Sequence, residues 1–159
     1  TFMLGPYDSG HGSNKMVLYL YKQKAPGFSP GGKNYVHVRD VAVAAANALD
    51  RGRLGECYIT GNVNMSYRES FQLIAETLDV KPPRLRLPRL AAIGYGAAMS
   101  FYATITGKVP HVTYKMARIG CEECYYSADK AVEELEMPQT PIEEAIRESI
   151  EWFKETGKV

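Results

Sequence analysis

The sequence predicts a mixed α/β fold whose second part is mostly helical. Strand-like and helix-like patterns alternate over the first third of the chain, whereas amphipathic helical patterns dominate the remainder. With 159 residues, of which 45% are hydrophobic and 23% charged, the chain is long enough for one domain with a real core. We therefore expect one compact α/β unit.

A short strand and a helix come first. Phe2–Leu4 is an apolar run that ends at Gly5-Pro6, which predicts the end of a buried strand. Ser13 or Asn14 is suited to cap a helix that continues through Lys22. The inner face of this helix holds Met16, Val17, Leu20 and Tyr21. Strand and helix together predict the first α/β pair.

A second strand and helix follow an irregular loop. Residues 25–34 hold two prolines and three glycines, and Tyr35–Val38 is predicted to be a short strand. Asp40 is predicted to cap the next helix, which Gly52 ends. The apolar stripe of that helix is Val41, Ala44, Ala45, Ala48 and Leu49. Cys57–Thr60 is predicted to be a further short strand.

Two capping boxes predict helices in the second part of the chain. Ser66–Glu69 is the first, and the helix behind it is expected to bury one face. That face holds Phe71, Ile74, Ala75 and Leu78. Thr140–Glu143 is the second, with Pro141 at the favoured first helical position. The last helix is expected to bury Ile142, Ala145, Ile146, Ile150 and Phe153.

Shorter elements connect these helices. Pro82-Pro83 breaks the chain, and Leu85–Leu87 is predicted to be a short strand. Residues 113–120 and Asp129–Leu135 are predicted to be helical, and Tyr125-Tyr126 is predicted to be extended. The second part therefore contains several helices and little sheet.

One segment raises the question of a membrane. Leu90–Thr106 carries no charge over 17 residues, which is at the short limit for a membrane span. Its glycines and hydroxyl residues favour a buried helix, or one packed against another subunit. The Gly96-x-x-x-Ser100 spacing would let another helix approach closely. A membrane-associated or structural protein built around this helix is the alternative, and it predicts dependence on detergent.

Charge and cysteine content exclude several classes of function. The net charge of +1 gives no broad basic face for nucleic acid. Three cysteines are an odd number, which argues against a disulfide framework and fits a reducing cytoplasm. The first residues lack the charged-then-apolar plan of a signal peptide. We therefore expect a cytoplasmic protein without a nucleic-acid or membrane partner.

Metal or thiol chemistry has one candidate motif, Cys121–Cys124. A structural zinc site needs four ligands, so Cys57 and His111 would have to join the two thiols. The two glutamates between the thiols would raise a thiol pKa, which is the opposite of what a redox pair requires. Because His11, His37 and His111 are scattered along the chain, we predict no metal site and two reduced thiols.

Motifs in one order resemble a known family. They are Gly5–Asp8, Tyr35–Ala42, Tyr126–Ala131, and Pro141–Ala145 running to Trp152-Phe153. Together they resemble the C-terminal part of the extended short-chain dehydrogenase/reductases, the NAD-dependent epimerase/dehydratase family, in the dihydroflavonol-reductase-like branch. The resemblance covers nearly the whole chain. It implies the end of a Rossmann-type sheet followed by a mostly helical substrate-binding lobe.

The resemblance also implies a division of the chain and of its contacts. Residues 1–61 would form the end of the Rossmann-type sheet with its flanking helices, and residues 62–159 the substrate-binding lobe and C-terminal helices. The strand beside the nicotinamide would supply the cofactor-binding residues Thr1, Phe2 and Met3. The following turn and the later strand–helix motif would supply the substrate-binding residues Gly5, Pro6, Tyr7, Asp8 and Arg39. Arg39 has the alternative of pairing with a carboxylate.

Two features of a complete enzyme of this family are missing from the sequence. Neither G-x-G-x-x-G nor G-x-x-G-x-x-G is present. Gly10-His11-Gly12 begins the first pattern, but Lys15 occupies its last glycine position and the segment follows a loop, so it is interpreted as a flexible turn. The family's catalytic tyrosine precedes its lysine by four residues, as Tyr126 precedes Lys130. In the proteins that the chain resembles, however, this segment is a C-terminal structural element. We therefore predict no catalytic residue in this chain.

These expectations define a function for the whole protein and a different one for this chain. The full-length protein would be an NAD- or NADP-dependent oxidoreductase or epimerase that acts on a small carbonyl or hydroxyl substrate, such as a sugar or a flavonoid-like molecule. The chain alone is expected to be inactive, since it would neither bind a dinucleotide tightly nor transfer hydride. It is expected to pair with a missing N-terminal Rossmann half or to form a homo-oligomer. The alternative is a non-enzymatic module for small-ligand binding or oligomerisation.

Overall fold

Four strands and seven helices make up the described part of the chain, which is residues 1–9, 12–25, 27–108 and 112–159 of a computed structural model. In order, the elements are β1 (Phe2–Leu4), α1 (Lys15–Tyr21), β2 (Gly32–His37), α2 (Val38–Arg51), β3 (Val63–Ser66), α3 (Tyr67–Leu78), α4 (Arg89–Thr106), α5 (Tyr114–Ile119), β4 (Glu123–Cys124), α6 (Asp129–Leu135) and α7 (Ile142–Glu155). The predicted α/β class, with helices dominating the second part, is confirmed.

The strand β2 is the centre of the sheet. It pairs in parallel with β1, so that Leu4 lies opposite His37 at the carboxyl end. Its amino end pairs with β3 in antiparallel orientation and with β4 in parallel orientation, both beginning at Gly32. The two ends of β2 therefore have different neighbours, and each end positions its own candidate site.

Helices cover both faces of the sheet. Tyr35 and Val36 are adjacent in β2 and fully buried, and alternation along a strand sends their side chains to opposite faces. Tyr35 belongs to a core cluster with residues of α1, α3 and α7. Val36 belongs to a second cluster with residues of α2 and α6. The result is a three-layer arrangement of helices, sheet and helices.

The beginning of α2 differs from the prediction. The strand β2 begins at Gly32, within the predicted loop, and Val38 is already helical. The N-cap of α2 is His37, whose Nδ1 accepts a hydrogen bond from Arg39 N at 3.0 Å. The prediction that Asp40 caps this helix is wrong, because Asp40 lies within the first turn and is 1% exposed.

Asp40 instead contacts the beginning of α7. Thr140 donates from its backbone N to Asp40 Oδ2 at 2.8 Å and from its hydroxyl to Asp40 Oδ1 at 2.7 Å. The second predicted capping box is therefore wrong, since Pro141 is the N-cap of α7 and no side chain caps it. Both errors have one cause, which is a pairing between residues 100 positions apart.

Other local predictions have mixed outcomes. The helices α3, α5 and α6 are confirmed, as is the capping box at Ser66. The predicted strand at Cys57–Thr60 is absent, and the strand β3 begins at Val63 instead. Leu85–Leu87 forms only an isolated bridge, between Phe28 and Arg86. The α2 stripe is narrower than predicted, because Ala45 and Leu49 are exposed.

The predictions for α1 and α7 are partly confirmed. Asn14 is at the N-cap of α1, but its side chain makes no capping hydrogen bond there. The helix ends at Tyr21, one residue before the predicted Lys22. The five apolar residues predicted to be buried on α7 are all buried, and Ser149 is buried with them.

The apolar helix α4 lies at the surface. Of its residues only Gly96 is buried, so α4 is not buried within this chain, and its packing against another subunit stays a prediction. A Cβ at Gly96 would lie 2.6 Å from Ala117 Cβ, and Tyr114 N donates to Ser100 Oγ at 2.8 Å. The predicted close approach at Gly96 and Ser100 is therefore made by α5 of the same chain. Within the described residues, no helix is long and apolar enough to cross a membrane.

Candidate functional site

The turn after β1 is held in place by buried polar side chains. Gly5 has φ +141°, and a Cβ there would lie 2.5 Å from Val38 Cγ1. Its N donates to Ser149 Oγ at 2.9 Å, and its carbonyl accepts from Asn14 Nδ2 at 2.8 Å. Both partners are buried, so α1 and α7 fix the carboxyl end of β1 from two sides. Glycine is required here by the backbone angle and by the packing against Val38.

The residues that follow this turn differ in accessibility. Tyr7 has φ +69° and is 79% exposed, with its ring centroid 4.9 Å from that of Trp152. Asp8 accepts hydrogen bonds on its carboxylate from Gly12 N and Asn14 N, and on its carbonyl from Trp152 Nε1. Pro6, which precedes both residues, is partly buried. Of these predicted substrate residues, Tyr7 presents most of its side chain to solvent.

A buried histidine lies at the carboxyl end of β2. Because His37 Nδ1 accepts from Arg39 N, any proton on neutral His37 is carried by Nε2. That Nε2 lies 3.2 Å from Glu148 Oε2, within ion-pair distance but outside hydrogen-bonding alignment. Glu148 also pairs with the Arg39 guanidinium, which is 58% exposed. The structure thus shows the carboxylate pairing that was the alternative for Arg39, and sequence analysis did not single out His37 as part of this group.

The predicted cofactor residues line an open strand. Phe2 packs edge-on against Tyr35 with ring centroids 5.6 Å apart, while Thr1 is exposed and Met3 is 45% exposed. In the described residues β1 pairs only with β2, so its other edge has no strand beside it. The sequence contains neither glycine-loop pattern that would cradle a pyrophosphate at a helix N-terminus. The cofactor contacts of Thr1, Phe2 and Met3 stay a prediction.

A basic cavity lies near the amino end of β2. Its volume is 580 Å³, and Arg68, Arg84 and Arg86 line it. Phe28–Gly31, which leads into β2, forms one wall. Because no aspartate or glutamate lines the cavity, its surface attracts anionic groups.

An apolar cavity of 660 Å³ adjoins the basic one. It lies between α3, α4 and α5, and the two cavities share Phe28, Ser29 and Phe71. Its further lining is mostly apolar and aromatic, and includes Tyr67, Leu87, Ala91, Ala92, Tyr95, Val112, Met116 and Ala117. This combination of an apolar hollow with a few polar groups at one end is typical of a small-molecule pocket.

Tyr67 places a hydroxyl group at this apolar cavity. Burial, with smaller contributions from the nearby Cys124 and Cys121 thiols, raises the pKa of Tyr67 to about 12. The phenol is therefore neutral at pH 7 and can donate or accept a hydrogen bond.

The two cysteines of the predicted thiol motif have different surroundings. Cys121 is buried, and Cys124 Sγ accepts a hydrogen bond from Lys33 Nζ at 3.0 Å.

The structure supports no metal centre within the described residues. No group of three or more histidine, cysteine, aspartate or glutamate side chains comes together there. His11 and His111 lie outside the described residues, as does part of the Gly10-His11-Gly12 segment. The prediction that these two histidines hold no metal therefore stays a prediction.

The Tyr126–Lys130 pair is occupied by other contacts. Lys130 Nζ donates to Glu56 Oε2 at 2.6 Å and to the Cys57 carbonyl at 3.1 Å, and it lies 4.4 Å from the ring centroid of Tyr58. The hydrogen bond with Glu56 raises the pKa of Lys130. A lysine held in this way connects α6 to the segment before β3. This is the structural role that the resemblance implies for the segment.

The cavities and the predicted substrate residues lie at opposite ends of β2. The cavity wall ends at Gly31, whereas Gly5 and Arg39 adjoin the end of the strand at His37. Six strand residues span roughly 17 Å. Sequence analysis missed the basic cavity, although three of its arginines could have been noticed as cations without nearby acids. The five substrate residues predicted at the carboxyl end stay a prediction.

Two curated proteins are similar in sequence to nearly the whole of this chain. It is 27% identical over 161 aligned residues to a protein of Synechocystis sp. that carries the provisional name dihydroflavonol 4-reductase, covering 98% of this chain and 47% of that protein. It is 23% identical to sterol demethylase protein B of Methylococcus capsulatus, covering 99% of this chain and 49% of that protein. The chain thus spans about half the length of the curated relatives it matches. No family model matches it.

Solved structures show the same fold. The crystal structure of gox2253 matches with a TM-score of 0.78 and 30% identity, over 99% of this chain and 48% of that one. A nucleoside-diphosphate-sugar epimerase from Pseudomonas aeruginosa matches with a TM-score of 0.70 and 22% identity, over 98% and 46%. Two further neighbours were solved with a cofactor bound. A UDP-glucuronic acid 4-epimerase of Bacillus cereus was solved with NAD, and RMD of Pseudomonas aeruginosa with NADPH. The resemblance predicted from the motifs, and the Rossmann-type fold that it implies, are confirmed.

Proposed function

We propose that this chain is the C-terminal, substrate-holding half of an NAD(P)-dependent oxidoreductase or epimerase. Its substrate would be a small carbonyl or hydroxyl compound with an apolar body. The apolar cavity between α3, α4 and α5 carries this proposal, because its 660 Å³ is built almost entirely from apolar and aromatic side chains of this chain. The similarity to reductases and epimerases over half of their length supports the reaction class.

The two cavities together favour one kind of substrate. An apolar ring system would fill the hollow beside Phe71 and Tyr95, and a polar or anionic end would reach the arginines of the adjoining basic cavity. The names of the two curated relatives refer to a dihydroflavonol and to a sterol, which are both compounds with fused or linked rings. A flavonoid-like or related ring compound therefore fits the site better than a plain sugar.

The residues of this chain would bind and orient the substrate. The neutral phenol of Tyr67 is placed to hydrogen-bond a polar substituent within the apolar cavity. The aromatic walls would exclude water from the bound ring. When bound, NAD or NADP would supply or accept the hydride, and the residues that cradle the cofactor's pyrophosphate would come from outside this chain, alongside Thr1, Phe2 and Met3.

The proposal is tested in the protein that carries this chain. Oxidation of NADPH and NADH is followed with a dihydroflavonol as one probe, and conversion of UDP-glucose to its epimer in the presence of NAD is measured as the other. Ala91 is exposed and lines the apolar cavity, so Ala91→Trp fills that cavity without disturbing the core. We expect this variant to raise KM for the dihydroflavonol at least tenfold and to leave KM for the cofactor unchanged.

Ala98→Trp is the matched control, because Ala98 is exposed on the same helix and does not line the cavity. It should behave as the wild type. A protein that neither oxidises the cofactor with the dihydroflavonol nor converts UDP-glucose would contradict the reaction class. Turnover that Ala91→Trp leaves unchanged would contradict the assigned pocket. Binding of the dihydroflavonol without any cofactor turnover would favour the non-enzymatic ligand-binding module instead.

A further inference from the structure

The outward face of α4 is apolar where a surface helix is ordinarily polar. Leu90, Phe101 and Ile105 are 85%, 69% and 70% exposed. At 100° per residue they fall on one side of the helix together with Gly94 and Ala97, which are also exposed. We call these five residues the α4 stripe. None of them carries a polar side chain, so the stripe presents a continuous apolar surface to solvent.

The sequence segment that contains this stripe carries charges of one sign. Between Asp79 and Glu122 the sequence contains no aspartate or glutamate. The same segment contains seven of the chain's 19 basic residues, Lys81, Arg84, Arg86, Arg89, Lys108, Lys115 and Arg118. All seven are exposed, and among the described residues only Arg118 of this set pairs with a carboxylate, Glu122 at 3.7 Å. The segment is therefore strongly basic, although the net charge of the chain is only +1.

The basic residues lie at both ends of the stripe. Arg89 begins α4, and Lys108 follows its last residue by two positions. At 1.5 Å per residue the helix is roughly 27 Å long, so cations stand at both ends of an apolar surface of that length. A helix that crosses a membrane would place one of these ends on each side. A helix that lies parallel to the membrane surface places both basic ends at the same depth, with the apolar stripe directed toward the acyl chains.

We propose that the α4 stripe docks on an anionic lipid surface, with α4 lying in the plane of the interface. Leu90, Phe101 and Ile105 would enter the boundary between headgroups and acyl chains. Arg89 and Lys108, at the two ends of the stripe, would contact the anionic headgroups. This assignment is independent of the enzymatic reaction, since it depends only on the surface of α4 and its surroundings.

Charge complementarity favours lipid over a second copy of this chain. Any pairing of the stripe with itself brings basic residues against basic residues, because the segment has no acidic residue to place opposite them. An anionic lipid surface satisfies both the apolar stripe and its basic surroundings.

The test is co-sedimentation of the protein that carries this chain with two kinds of vesicle. One kind is phosphatidylcholine alone, and the other is phosphatidylcholine with an equal part of phosphatidylglycerol. We expect sedimentation with the anionic vesicles only, weakening as salt is added. Leu90→Ser combined with Phe101→Ser should lower vesicle partitioning at least tenfold. Lys108→Glu should lower it by about fivefold or more.

Matched variants separate docking from general stickiness. Leu49 and Leu54 are exposed leucines outside α4, at 87% and 104% exposure, so Leu49→Ser with Leu54→Ser should partition as the wild type does. Lys24→Glu, an exposed charge outside the basic segment, controls for Lys108→Glu. Equal binding to both kinds of vesicle, or equal loss in the control variants, would overturn the proposal. A dimer in solution that Phe101→Ser converts to a monomer would also overturn it, in favour of a subunit interface.

Discussion

Asp40 shows at the residue scale why a local pattern can mislead. A short acidic residue before an apolar stripe is a good N-cap candidate, yet this carboxylate receives both of its hydrogen bonds from Thr140. The true cap is His37, one residue before the helix begins. Thr140 is likewise a good N-cap candidate for α7, but its N–H and hydroxyl donate to Asp40 instead. The residue types were recognised correctly, and the error lay in assigning them to local partners.

Replacing Asp40 tests the importance of this pairing. Asp40→Ala leaves the Thr140 N–H and hydroxyl without their acceptor, so we expect the free energy of unfolding to fall by about 2–3 kcal/mol. Urea denaturation measures it. Asp50→Ala, an exposed acid on the same helix, should change it by less than about 0.5 kcal/mol. If both variants were equally stable, the contact between α2 and α7 would contribute nothing measurable.

Tyr35 predicts how stability depends on alkaline pH. Burial raises the pKa of Tyr35 well above its ordinary value of 10.0, and its hydroxyl donates to Ser70 Oγ at 2.9 Å. Above pH 10 the unfolded chain loses this proton while the folded chain keeps it, so stability falls as pH rises. The slope is about 1.4 kcal/mol per pH unit for one such tyrosine.

Tyr35→Phe should flatten this alkaline slope. At pH 7 the variant loses about 1 kcal/mol because the hydrogen bond to Ser70 is gone; the difference from wild type then shrinks above pH 10, vanishes by about pH 11 and is reversed at about pH 12. Urea midpoints measured across that range check it. Tyr126→Phe removes a phenol that is 43% exposed and should follow the wild-type curve. A constant difference between Tyr35→Phe and wild type over the whole range would contradict the assignment.

At the scale of elements, periodicity identified long amphipathic helices and failed for short strands. The helices α3 and α7 have strong apolar faces, and their buried residues agree with those predicted. A strand of three or four residues has too few positions for a pattern, so β3 was placed at Cys57–Thr60 instead of at Val63. Pairing with β2 decides where such a strand forms, and a single sequence does not contain that information.

The two capping boxes make a paired prediction at this scale. Ser66 Oγ accepts from Glu69 N at 3.2 Å, and Glu69 accepts from Ser66 N at 2.8 Å. Ser66→Ala should therefore lower the free energy of unfolding by about 1 kcal/mol. Glu69→Ala should give a smaller loss. Because the hydrogen bonds from Ser66 lower the pKa of Glu69, that smaller loss is present above pH 4.5 and disappears as pH falls below it.

Glu143→Ala is the matched control, because Glu143 has the same spacing from Thr140 but no capping hydrogen bond joins them. It should leave the free energy of unfolding unchanged within about 0.5 kcal/mol. Urea denaturation at pH 7 and pH 4 compares all three variants with wild type. If Glu143→Ala cost as much as Glu69→Ala, the second box would form in solution after all.

For the whole molecule, the family resemblance predicted the fold better than it predicted the position of cavities. The motifs correctly implied a Rossmann-type sheet end with helices. They directed attention to the carboxyl end of β1, where Gly5 is enclosed by Asn14 and Ser149. The cavities instead depend on how α4 and α5 pack over Phe28–Gly31. That packing joins residues far apart in sequence, so the run of basic residues is visible in the sequence but the cavities themselves are not.

The melting temperature of this chain with NAD or NADP reports how much of a dinucleotide site the chain contains. Binding of a ligand to the folded state alone raises the melting temperature, by an amount equivalent to about 2.7 kcal/mol at a hundred times Kd. The described strands of this chain include no glycine-rich turn into a helix, and only the exposed Thr1 and Met3 with the partly buried Phe2 are predicted to touch a cofactor. We therefore expect saturating NAD or NADP to leave the melting temperature of this chain alone unchanged. A dihydroflavonol should raise it, because the apolar cavity is formed by this chain itself. A clear upward shift with dinucleotide would mean that residues at the open edge of β1 bind the cofactor without a glycine loop.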